Sequence, residues 1–128
     1  MNNKKYKTAK KLTFVRNKER EEFYENYFIL YRHLYSIVNK TMDDQCRLTI
    51  GQKILNTVEN MWGCFVLGAS QSNMNSIKES YKYFEVLRTQ IRLLLDENVI
   101  SSGHHQILIE RLHSIRKIFL NYLYVYTK

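Results

Sequence analysis

Hydrophobic positions recur along this chain at helical spacing. Phe23, Tyr27, Leu30, Leu34 and Ile37 follow one another by four and three residues, which places them on one face of a helix. Tyr24, Phe28, Tyr31, Tyr35 and Val38 run beside them and widen that face. A single antiparallel neighbour covers a narrow seam, so two adjacent stripes imply contact with at least two other helices or with a second subunit. The pattern predicts a first helix from about Asn17 to Lys40, with Glu19, Glu21, Glu22 and Glu25 in its opening turns, where carboxylates favour the positive end of the helix dipole.

A second helix follows Asp43 or Asp44, either of which suits an N-cap. It carries Ile50, Ile54, Val58, Met61 and Phe65 in one row, with Trp62 beside it, and ends near Gly68. Gly51 and Gly63 fall inside this helix, at a cost near 1 kcal/mol each relative to alanine that close helix approach would offset. The polar run Ser70 to Asn73 predicts a loop, and a third helix spans about Asn75 to Glu97. A fourth begins near Ser101 or Ser102, with Leu108, Leu112, Ile115, Phe119 and Tyr122 as its core row. Four helices with short connections predict an all-α, antiparallel up-down-up-down four-helix bundle over residues 17–128.

The third helix contains the least expected pattern. Ile77, Tyr81, Phe84, Arg88, Ile91 and Leu95 make one row, with Arg92 flanking it, so arginines interrupt an apolar stripe. A guanidinium buried without a partner is strongly destabilising, on the order of the 3–5 kcal/mol lost when a buried ion pair is broken. Either a carboxylate such as Glu85, or one on another helix, pairs with it, or the arginines project from the bundle toward a subunit or a phosphate.

Composition agrees with the helical reading. At 128 residues, 45% hydrophobic and 25% charged, the chain is long enough for one globular core, and the absence of proline with only four glycines favours uninterrupted helices. The net charge is +8 and the pI about 9.5, which points to nucleic acid, an acidic membrane or an acidic protein as partner. That charge is concentrated at the start. Lys4, Lys5, Lys7, Lys10, Lys11 and Arg16 stand among the first sixteen residues with no acid, leaving fourteen basic against twelve acidic residues beyond them. Residues 1–16 therefore read as a basic N-terminal arm, expected to be flexible and disordered on its own.

No apolar run of signal-peptide length follows the arm, and no segment offers the ~20 apolar residues that span a bilayer, so a cytoplasmic protein with no membrane partner is expected. Cys46 and Cys64 form no CxxC pair and are expected to be reduced thiols.

Little in the chain suggests catalysis. A Gly-rich phosphate loop, a GxSxG elbow and a recognisable Cys–His pairing are all missing, and no cofactor is expected. Among His104, His105 and His113 the spacing of 105 and 113 is too wide for two side chains to share a metal, so none is expected. Asp43–Asp44 and Asp96–Glu97 fit capping and solvation better than acid–base work. The tyrosines fit helical stripes, although Tyr122, Tyr124 and Tyr126, near Lys128, could offer stacking surfaces for bases. Outside the arm, the basic candidates for phosphate contact are Arg47, Lys53, Lys78, Lys82, Arg88, Arg92, Arg111, Arg116 and Lys117; Lys78 with Lys82, and Arg111 with Arg116 and Lys117, suggest two ridges.

Three segments, CRLTIGQKI (46–54), FEVLRTQIRLLLDENVIS (84–101) and LIERLHSIRKIFLNYL (108–123), occur in that order. With their R-L-T-hydrophobic-G, LRxxhRL (h, hydrophobic) and I-S features, they resemble the accessory variability determinant (Avd) proteins of diversity-generating retroelements and, more broadly, the small four-helix proteins encoded in ribosomal RNA intervening sequences. The resemblance implies a non-enzymatic basic bundle that assembles as a homopentamer, binds RNA and DNA with little sequence preference, and associates with a reverse transcriptase. Arg47, Gly51, Arg88 and Arg92 match the pattern, which makes the three arginines candidates for nucleic-acid or transcriptase contact. The chain departs from the family in ending IFLNYLYVYTK, where a glycine-glycine-tryptophan segment is usual, and in carrying its basic tail at the N-terminus. The alternative reading is an interaction scaffold whose first helix builds an oligomer and whose arm meets an acidic protein.

Overall fold

A computed structural model describes the backbone of residues 2–127 and the side chains of residue 18 and of residues 20–123. Helix α1 (Asn2–Ser36) continues into a π-helical turn (Ile37–Thr41). A one-turn helix α2 (Asp44–Cys46) leads through a second π-helical turn (Arg47–Gly51) into α3 (Gln52–Gln71), followed by α4 (Met74–Asp96) and α5 (Ser102–Thr127). The described residues are all helix and short connections, with no strand. None of these helices is long and apolar enough to cross a membrane.

The helix starts follow local chemistry. Asp43 accepts a hydrogen bond from the Cys46 amide at 2.8 Å, so it, rather than Asp44, caps the second helical segment. Asn73 Oδ1 accepts from the amides of Asn75 and Ser76 at the start of α4, and Ser101 Oγ accepts from the His104 amide at the start of α5. The predicted loop from Ser70 shrinks to Ser72 and Asn73, because α3 continues through Gln71 and ends with Ser72 in the left-handed conformation (φ 51°). A larger difference concerns α1, which starts at Asn2 and not at Asn17. No proline or glycine lies between these positions, so Glu21, Glu22 and Glu25 stand well inside the helix and not in its first turn.

Helix α1 packs on α3 and α5, and α4 packs on the same two. Between α1 and α5, Asn26 meets Arg111 and His33 meets His104. The core rows expected on the first, second and fourth helices are buried, apart from half-buried Ile50. On α4 the row is different. Ile77, Ser80, Phe84, Leu87, Ile91 and Leu94 face inward, while Tyr81 and Leu95 are half-buried and Arg88 lies on the flank. Ser80 is accommodated because its hydroxyl donates to the Met61 carbonyl of α3 at 2.6 Å.

The glycines divide by environment. A Cβ at Gly51 would meet Val38 at 2.7 Å and Met42 at 3.1 Å, and one at Gly68 would meet Ile77 at 2.5 Å and the Asn73 carbonyl at 3.0 Å. Gly63, expected to lie at a close approach, has open space around it. Gly51→Ala and Gly68→Ala are expected to destabilise the fold by about 1–3 kcal/mol through overpacking. Gly63→Ala is expected to stabilise it by about 0.5–1 kcal/mol through helix propensity. Urea unfolding of the three variants checks both signs.

Candidate nucleic-acid interface

Side chains three and four residues apart share a helix flank, and two such flanks meet between α4 and α5. Arg88 and Arg92 come from α4; His105, Ile109, His113 and Arg116 come from α5. They line two depressions. One, of about 150 Å³, is bounded by Phe84, Arg88, Ile109, Leu112, His113 and Arg116. The other, of about 310 Å³, is bounded by Arg88, Thr89, Arg92, His105 and Ile109. Arg88 and Ile109 border both, so the depressions form one groove with an apolar floor and a basic rim.

Each of the two α4 arginines has a carboxylate partner on its own helix and also projects into solvent. Arg88 pairs with Glu85 at 2.7 Å and Arg92 with Asp96 at 3.2 Å, yet their side chains are 50% and 67% exposed. Pairs of this kind within one helix and open to water contribute only a few tenths of a kcal/mol, so a phosphate group can compete for either guanidinium. His105 adds a second feature: its Nε2 is enclosed and has no hydrogen-bond partner among the described residues.

The other basic candidates are dispersed. Arg47 pairs with Asp44 at 2.8 Å beside the second π-helical turn, and Lys82 approaches Glu79 at 3.5 Å. Lys53, Lys78 and Lys117 are exposed. Arg111 does not join Arg116 in a ridge. The two are about 140° apart around the helix, and Arg111 faces α1, donating to Asn26 Oδ1 at 3.3 Å. The side chains of Lys4, Lys5, Lys7, Lys10, Lys11 and Arg16 lie outside the described residues, as do those of Tyr124 and Tyr126. Tyr122 is a core residue and offers no stacking surface.

The three clustered histidines separate, with His105 and His113 on the α4–α5 groove while His104 turns to α1 and meets His33. The spacing of His105, Ile109, His113 and Arg116 was a legible signal for one helix flank; the approach of His33 was not. Burial, and secondarily the proximity of His104, lowers the His33 pKa from 6.5. Burial, helped by Glu79, raises that of the Cys64 thiol; both cysteines are unpaired and partly buried.

On the opposite side of the molecule, α1 and α3 expose an aromatic strip. Trp62 lies 4.6 Å from Tyr24, 4.4 Å from Tyr27 and 5.4 Å from Phe28 between ring centroids, and Tyr31 donates to Glu59 at 3.1 Å. Phe28 and Tyr35 are about half exposed. Comparison with protein-family models, curated proteins and solved structures finds no match to this chain.

Because the folded state lowers the His33 pKa, the unfolded chain binds its proton more readily. The stability this group contributes is therefore present above about pH 6.5 and is lost as the pH falls through the folded-state value. His33→Gln, which cannot titrate, is expected to show a smaller drop in urea midpoint between about pH 7.5 and about pH 5.5 than the unaltered chain.

Proposed function

We propose that this chain is a non-enzymatic, nucleic-acid-binding accessory protein that works as a homo-oligomer. The observation that carries the reading is the convergence of Arg88, Arg92 and Arg116 with His105 and His113 on one groove, where Glu85 and Asp96 hold Arg88 and Arg92 only in weak, exposed pairs. Guanidinium groups bind phosphate oxygens in a bidentate manner, and contacts of this type position a nucleic-acid backbone without reading its sequence. The antiparallel up-down-up-down topology belongs to the same reading, supported by the reversed order of contacts between α1 and α5. Residues 1–16 act as a basic extension that adds phosphate contacts to the 17–128 bundle.

The resemblance to Avd proteins extends the proposal to a pentamer, to RNA or DNA as ligand and to a reverse transcriptase as partner. Arg88 and Arg92, which match the family pattern, are also among the residues that line the groove. A cytoplasmic location follows from that role.

A second reading, an interaction scaffold with an acidic protein partner, draws on the aromatic strip of α1 and α3. In that case nucleic acid is held only by the N-terminal lysines.

Two sets of substitutions separate these readings. Replacing Arg88, Arg92 and Arg116 by glutamine is expected to weaken binding of a structured RNA by tenfold or more at low salt. It should also reduce the slope of log K against log salt by about 1 for each phosphate no longer neutralised. Unchanged affinity in this variant, with binding abolished by Lys→Gln changes at positions 4, 5, 7, 10 and 11, would favour the scaffold. Alanine in place of Ser80, which leaves the groove intact, should cost about 0.5–1.5 kcal/mol of stability while affinity stays the same, providing a control for indirect effects.

A further inference from the structure

His33 and His104 are 71 residues apart in sequence, yet His33 Nε2 and His104 Nδ1 approach to 3.1 Å across the α1–α5 seam. Zinc–imidazole bonds are about 2.0–2.1 Å long, so two nitrogens on one ion are about 2.9 Å apart at a right angle and about 3.4 Å apart at the tetrahedral angle. The observed separation falls between these limits. We propose that His33 and His104 form a binding site for a divalent transition-metal ion of the nickel, copper or zinc class, which ties α1 to α5.

The surroundings suit such a site. His104 sits in the first turn of α5, where its amide donates to Ser101 Oγ at 3.2 Å, so the backbone beneath the ligand is fixed. His33 projects from the interior of α1 and is half-buried, while His104 is exposed, which leaves one side of the pair open for water to fill the remaining coordination positions. Without metal, one facing nitrogen holds a proton and the other accepts it. When an ion enters, the protonated ring shifts to its other tautomer and both lone pairs face the metal, with no net proton release. Among the described residues no group of three or more His, Cys, Asp or Glu side chains gathers at one point, so the site has two protein ligands and an open outer face. It is independent of the α4–α5 groove, and of the reading placed on that groove.

The test is a titration of the tag-free full chain with nickel chloride near neutral pH, followed by calorimetry and by thermal unfolding. Saturable binding of one ion per chain is expected, with a melting temperature that rises as free nickel exceeds the dissociation constant. His33→Gln and His104→Gln should each weaken binding at least tenfold and remove the thermal shift, whereas His105→Gln and His113→Gln should leave both unchanged. Absence of saturable binding in the unaltered protein, or binding that survives in both His33→Gln and His104→Gln, would overturn the proposal. Circular dichroism of the metal-free variants confirms that they are folded, so that weakened binding reports on the ligands.

Discussion

The structure depends on an aromatic cluster where all four long helices meet. Phe23 of α1 lies flat against Phe65 of α3, with ring centroids 3.6 Å apart and planes 8° from parallel. Phe119 of α5 stands edge-on to both, at 5.5 Å from Phe23 and 5.8 Å from Phe65. From the α4 side, Tyr81 and Phe84 complete the contact with Phe119. Each large side chain removed from water contributes about 1.5–3 kcal/mol, and favourable ring geometry adds about 0.5–1.5 kcal/mol per pair. Bulky rings at a shared centre also fix the distances between helices, because a close-packed interior tolerates little change in volume.

That centre determines what happens at the seams. With Phe84 directed inward, the succeeding turn of α4 places Leu87 in the core and turns Arg88 to the flank beside α5. The guanidinium therefore avoids the desolvation that an inward position would impose, keeps a local carboxylate, and remains accessible. The same arrangement brings a second flank, that of α5, against it and produces a basic groove over an apolar floor. On the opposite seam the large rings of α1 exceed what one neighbour covers, and the aromatic strip around Trp62 stays partly exposed.

Much of this was legible because helical spacing is a local property. The core rows on α1 and α5 follow directly from that spacing, and the sequence narrows two caps to Asp43 or Asp44 and to Ser101 or Ser102, of which Asp43 and Ser101 make the bonds; Asn73, read as loop, caps α4 as well. On α4 two registers overlap in the sequence, and the structure buries the one through Leu87 and Leu94. The choice of Leu87 and Leu94 over Tyr81, Arg88 and Leu95 depends on Ser80, a polar residue whose burial makes sense only once the Met61 carbonyl is seen opposite it. Arg88 and Arg92 were visible as anomalies, but their convergence with Arg116 was not, since it requires the register between two helices. The meeting of His33 with His104, and the turn of Arg111 toward Asn26, were hidden for the same reason. Open space around Gly63, against close contact at Gly51 and Gly68, likewise depends on neighbours and not on the helix that contains the glycines.

Whether the α4–α5 groove is where nucleic acid binds can be settled by following the arginine Nε–Hε and backbone amide NMR signals while a structured RNA is added at low salt. If the groove is the site, the signals of Arg88, Arg92 and Arg116, with the amides of His105 and His113, shift first and saturate together. Shifts confined to the first seventeen residues, with the groove unperturbed, would rule the groove out.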